Sequence, residues 1–211
     1  MRRCTGPCVG TLLLAVLVAP APAAAAEPCA AGSVRLTFDD GPAPTATSAV
    51  LDTLAAWGAE ATFFVTGSMA AAHPELVRRA RAEGHRIGNH SWSHPDLTTL
   101  SRAQVQSQLQ RTSDVVRQVT GDSPTEWRPP YGARNDLVEA AARDVGLSSM
   151  VLWTVDPRDW ADPPATTVRD RVLELVRPGS VVLLHDGTGQ NTPEALPMIL
   201  DGLTREGYCF E

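Results

Sequence analysis

The chain has 211 residues, 43% of them hydrophobic, and a formal net charge of -6. That length supports one domain with a sizeable core and is too short for two large ones. All 18 basic residues are arginines without a basic cluster, and with the acidic balance this argues against nucleic acid as a partner.

The N-terminal stretch reads as an export signal. Arg2 and Arg3 form a basic start, Leu12 to Ala19 an apolar centre, and Ala24-Ala25-Ala26 an A-x-A cleavage site before Glu27. The apolar run is too short to span a bilayer comfortably. Residues 1–26 are therefore expected to be removed, leaving 27–211 as one secreted, soluble domain, extracellular or cell-wall associated. An uncleaved anchor is the alternative, and a monomer with no membrane partner is the default. Cleavage takes away Cys4 and Cys8, so Cys29 and Cys209 remain of the four cysteines. In an oxidising compartment these two are expected to form a disulfide tying the chain ends together.

From there strands and helices alternate. Val34 to Phe38 reads as a strand, Ala46 to Trp57 as a helix ended by Gly58, and Ala61 to Val65 as a strand. A helix from Pro74 to Glu83 and a strand from His85 to Asn89 follow. Ser101 to Val119 is the longest helix, with Ser101 and Gln104 in capping-box spacing and Gly121 just beyond. The second half reads as strand Thr125–Arg128, helix Asp136–Asp144, strand Ser149–Val155 and helix Thr166–Val176. Strand Ser180–His185, helix Pro193–Arg205 and strand Tyr208–Phe210 complete it. Such alternation implies an α/β fold with parallel strands and helical crossovers. A barrel and a doubly wound sheet both fit.

The reactive residues follow the expected strands, on the face where parallel α/β folds place their chemistry. Asp39 and Asp40 end the first strand, where Gly41-Pro42 breaks its regularity so that both acids can serve one site. Two like charges so close are costly unless a cation or proton separates their fates. His90 and His94, four apart on a helical turn or tight loop, would complete a two-histidine, one-carboxylate metal set with Asp40. Zn2+ suits these ligands best, with Co2+, Mn2+ and Fe2+ left open by ligand type. His185 ends an apolar strand and is placed for general acid work. Arg128-Pro129-Pro130-Tyr131 is a stiff segment able to hold Arg128 against a carboxylate. Trp153 and the segment Asp156-Pro157-Arg158-Asp159-Trp160 offer flat surface for sugar rings plus an acid. His73 and His85 read as ordinary surface or structural residues.

Taken in order, Thr37-Phe38-Asp39-Asp40, His90-Ser91-Trp92-Ser93-His94, Arg128-Pro129-Pro130-Tyr131, Asp156-Pro157-Arg158-Asp159-Trp160 and Leu183-Leu184-His185 resemble the motifs of the NodB-like polysaccharide deacetylases, carbohydrate esterase family 4. The resemblance runs from about Ser33 to Tyr208. It implies a distorted, incomplete (β/α) barrel of about seven strands, a divalent metal on Asp40, His90 and His94, and a polysaccharide or oligosaccharide substrate. It further implies Asp39 as general base paired with Arg128, and the Tyr131 backbone N–H as an oxyanion donor. His185 would be the general acid held by Asp159, with Trp153, Trp160, Leu183 and Pro130 lining the substrate pocket. The expected reaction is removal of N-acetyl groups from a polymer containing N-acetylglucosamine, peptidoglycan or chitin-like. An O-deacetylase of acetylxylan and, more distantly, a non-catalytic carbohydrate-binding protein are the alternatives.

Overall fold

A computed structural model describes Met1 and residues 29–211. The expected leader, with Cys4 and Cys8, lies outside the described residues. The first strand, β1 (Gly32–Asp39), belongs to a parallel sheet in which it has three partners. It pairs with β2 (Thr62–Val65), β6 (Ser180–His185) and β7 (Tyr208–Phe210). β3 (Arg86–Asn89), β4 (Glu126–Trp127) and β5 (Ser149–Met150) continue outward from β2, giving the order β5-β4-β3-β2-β1-β6 with β7 beside the start of β1. Beyond β5, Val155 bridges in parallel to Val182 of β6. The sheet thus curls towards closure, which is the distorted, incomplete (β/α) barrel anticipated above.

Seven helices pack around it: α1 (Pro44–Trp57), α2 (Gly67–Ala72), α3 (Pro74–Ala82), α4 (Arg102–Thr120), α5 (Asp136–Asp144), α6 (Ala165–Leu175) and α7 (Thr192–Arg205) among the described residues. The main core joins Leu36 and Phe38 of β1 to Leu51 and Leu54 of α1 and to Ile199 and Leu203 of α7. A smaller core gathers Trp127, Leu109 and Val138 where α4 and α5 meet. Strands covered on both faces need continuous apolar runs rather than alternation, and β2 and β6 have them. Ser101 and Gln104 form the expected capping box at the start of α4.

Most expected elements recur within one or two residues, the usual uncertainty of element ends. Two differ. The helix α2, with the sequence Gly-Ser-Met-Ala-Ala-Ala, was not anticipated, because one Met among five small residues carries no helical periodicity. The expected strand Ser149–Val155 stops at Met150. The Val151 and Leu152 carbonyls turn inward to accept from the Arg128 side chain (2.9 and 3.4 Å), and the N–H groups of Thr154 and Val155 bond to Val181 instead.

Cys29 and Cys209 are bridged, joining the segment before β1 to β7 with Cα atoms 4.9 Å apart. The bridge closes a loop of 180 residues and restricts the unfolded chain strongly. Replacing both cysteines by serine is expected to lower stability by about 2–5 kcal/mol. Denaturant titration with and without reductant checks this: the unaltered protein should show the loss only when reduced.

Candidate active site and metal centre

The site is built from the carboxyl ends of β1, β3, β4 and β6. Asp39, the last residue of β1, lies in register with His185, the last residue of β6. Next to it Asp40 takes a left-handed backbone conformation (φ 74°), which lets two consecutive acids face one cavity instead of alternating. Gly41 follows because a Cβ there would lie 2.4 Å from both carboxylate oxygens of Asp186. His90 and His94 sit on the loop after β3, not on a helical turn, with Ser91 and His94 both left-handed.

Asp40, His90 and His94 each present a ligand atom, and these atoms lie within 4.8 Å of one another. His94 Nε2 is 3.2 Å from Asp40 Oδ1, and His90 Nε2 is 3.5 Å from the same oxygen. The His90 Nδ1–H donates to the Arg128 carbonyl (2.7 Å), so its Nε2 lone pair is directed at the cluster. Asp40 Oδ1 is buried without a hydrogen-bond partner, a costly state that a cation would relieve. The donor set fits a divalent metal with positions left open. Burial opposes ionisation of Asp40, but His90, His94 and His185 outweigh it and hold the carboxyl well below the usual range.

On one flank Asp39 lies 3.6 Å from His90 Nε2 and accepts from Arg128 Nη1 at 2.7 Å. Arg128 is fully buried. It also donates to Thr37 Oγ1 (2.9 Å), and its plane covers the Phe64 ring. On the other flank the His185 Nδ1–H donates to Asp159 Oδ1 at 2.8 Å. Asp159 Oδ2 accepts from the His185 backbone N–H (2.7 Å) and from Thr192 Oγ1 (2.6 Å).

A family model described as "Polysaccharide deacetylase" matches residues 27–150. The chain belongs to the polysaccharide deacetylase family. It is 41% identical over 175 residues to the peptidoglycan-N-acetylmuramic acid deacetylase PdaC of Bacillus subtilis (strain 168), covering 83% of this chain and 36% of that protein. It therefore spans little more than a third of that relative. A chitooligosaccharide deacetylase of Sinorhizobium fredii (strain NBRC 101917 / NGR234) is 45% identical over 158 residues, 74% of this chain and 73% of that one. The structure of a family 4 carbohydrate esterase from Streptomyces lividans in complex with acetate superposes with a TM-score of 0.80 at 37% identity, covering 86% of this chain and 92% of that chain.

In this member of the polysaccharide deacetylase family the cavity measures about 580 Å³, within the usual range for ligand pockets. Asp39, Asp40, His90, His94 and His185 line its polar side. Trp153, Trp160, Leu183 and Tyr131 line its apolar side, with Tyr131 edge-on to His94, and Asp156 and Thr188 complete the lining. Arg128 and Asp159 stand behind, out of the cavity, touching it through Asp39 and His185. Pro130 is the expectation to correct: it is buried, does not line the cavity, and starts the turn that presents Tyr131.

Several residues escaped the sequence reading. Asn89 is fully buried; its Nδ2 donates to the Leu109 carbonyl (2.7 Å) and its Oδ1 accepts from the Ser91 N–H (2.9 Å), tying the histidine loop to α4. Asp186 is buried behind Gly41, and burial pushes its carboxyl up to about 7 against the hydrogen bond from Thr47. Thr188, on the rim, donates to Asp40 Oδ2 at 2.9 Å. Adjacency to His90 and His185 was the only signal for them, since each acts across the fold.

Replacing Arg128 by methionine would leave Asp39 buried and unpaired. The expected cost is about 3–5 kcal/mol, read as a lower midpoint in urea.

Burial lowers the proton affinity of His185, but Asp159 outweighs it, with Asp39 and Asp40 adding, and raises its pKa to about 9. The folded chain therefore holds this proton more tightly than an unfolded one. The resulting stability is complete below about pH 6.5 and is lost as pH rises through about 9. In Asp159→Asn the His185 pKa should fall towards about 6.5, as followed by NMR of the imidazole.

Proposed function

We propose that this protein is an exported, metal-dependent deacetylase that hydrolyses N-acetyl groups on a polysaccharide containing N-acetylglucosamine, peptidoglycan or chitin-type. The observation that carries the reading is the placement of Asp39. It faces the Asp40–His90–His94 cluster while Arg128 holds its other oxygen, and His185 opens into the same cavity.

Asp40, His90 and His94 would hold the cation, Zn2+ by preference. Bound there, it supplies polarisation of the acetyl carbonyl and lowers the pKa of a water. Asp39 takes a proton from the attacking water, and Arg128 keeps its carboxylate charged and aimed. The Tyr131 N–H donates to the oxyanion that forms as the carbonyl carbon becomes tetrahedral. His185 passes its Nε2 proton to the leaving nitrogen while Asp159 holds the ring through Nδ1. The C–N bond breaks, one water is consumed, and acetate and a free amine leave. Trp153, Trp160 and Leu183 supply apolar walls for the sugar face and the acetyl methyl. Export is supported by the leader-like N-terminus and by the Cys29–Cys209 bridge, which suits an oxidising compartment.

Acetate release from chitooligosaccharide, peptidoglycan and acetylated xylan, each with added Zn2+, tests the reading. Release is expected from an N-acetylated glycan, with EDTA abolishing it and Zn2+ restoring it. Asp39→Asn should lower the rate by about 100- to 10,000-fold. Inactivity on all three substrates would rule the deacetylase reading out, and activity on xylan alone would make the protein an O-esterase.

A further inference from the structure

We propose that Thr188 is a positioning residue for the metal-holding carboxylate: its hydroxyl clamps Asp40 Oδ2 and so turns Oδ1 towards His90 and His94. The inference rests on the reading of those three residues as a metal site. Asp40 Oδ2 accepts from Thr188 Oγ1 at 2.9 Å, whereas Oδ1 is buried, lacks a hydrogen-bond partner, and faces both imidazoles. The two oxygens of one carboxylate are thereby given different tasks. A free carboxylate can rotate and offer either oxygen; one tethered at Oδ2 offers Oδ1.

The donor comes from far away in sequence, on the loop between β6 and α7, 148 residues from Asp40. That loop is pressed against β1. The N–H groups of Asp186 and Gly187 both point to the Asp39 carbonyl, at 3.2 and 3.4 Å. Gly187 makes the approach possible, because a Cβ there would lie 2.5 Å from the Asp40 carbonyl carbon and 2.6 Å from its oxygen. The far end of the loop is anchored as well. The Gln190 N–H donates to Asp162 Oδ1 (2.8 Å), and Thr192 Oγ1 donates to Asp159 Oδ2. The Thr188 hydroxyl is thus held in place from both sides. Thr188 itself is exposed, so its hydroxyl can be removed at little cost to the fold.

Outer hydrogen bonds of this kind commonly govern metal affinity, their loss costing about 10- to 100-fold. The test is Zn2+ uptake by metal-free protein in competition with a chromogenic chelator, a readout independent of turnover, with thermal melts in parallel. Thr188→Val is expected to weaken Zn2+ binding by about 10- to 100-fold with an unmoved melt. Thr188→Ser should restore the affinity. Thr204→Val, which removes an exposed hydroxyl near the end of α7 that makes no contact with the site, should leave it unchanged. Tight uptake by the parent with no effect of Thr188→Val overturns this inference alone, as does equal weakening by Thr204→Val. Failure of the parent to take up Zn2+ overturns it together with the metal reading.

Discussion

Arg128 and Asp39 form an ion pair almost without access to water, and the barrel mouth is arranged around it. A buried guanidinium has to find acceptors for its donors, and Arg128 draws them from separate parts of the chain. Asp39 and Thr37 belong to β1, while Val151 and Leu152 supply carbonyls just past β5. Meeting that demand ends β5 early and lets the following residues cross to β6. Such a pair contributes little net stability over apolar packing, yet is expensive to break by half. Its value lies in orientation: it holds one oxygen of Asp39 and leaves the other facing the histidine cluster.

Around that pair, chemically similar groups have different tasks because their surroundings differ. Asp39 answers to a guanidinium, Asp40 to two imidazoles and a threonine, Asp159 to His185 and Thr192, and Asp186 to Thr47 in a sealed position. The histidines divide in the same way. His90 gives its Nδ1–H to a backbone carbonyl and keeps a lone pair for the cluster, while His185 gives its Nδ1–H to a carboxylate and is charged at neutral pH. Groups of one kind pushed apart by their environments are the usual mark of assigned acid and base roles.

The backbone bears a cost for this arrangement. Asp40, Ser91, His94, Tyr131 and Arg158 are all non-glycine residues in the left-handed region, and all belong to the segments that build the cavity. Each such conformation costs of order 1 kcal/mol and persists only where neighbours over-determine it. At Ser91 the neighbours are visible: Asn89 and Gln108, both tied to α4, hold the loop that spaces the two histidines.

The order of strands and helices, the placement of Asp39, Asp40, His90, His94 and His185 at strand ends, and the Cys29–Cys209 pairing were all legible in the chain. Each depends on local pattern: apolar runs of strand length, glycines behind helices, reactive residues where a run stops, or a count of cysteines. The early end of β5, the retreat of Pro130 from the cavity, and the parts taken by Thr188, Asp186 and Asn89 were not legible. They arise where segments far apart in sequence press together, as when Gly187 meets Asp40 or Asn89 reaches Leu109. The sequence by itself determined which groups would stand at the mouth of the barrel, because periodicity and breakers act over a few residues. Which oxygen of each carboxylate is held, and by what, was decided only by tertiary packing, because hydrogen-bond geometry depends on contacts that no local pattern encodes.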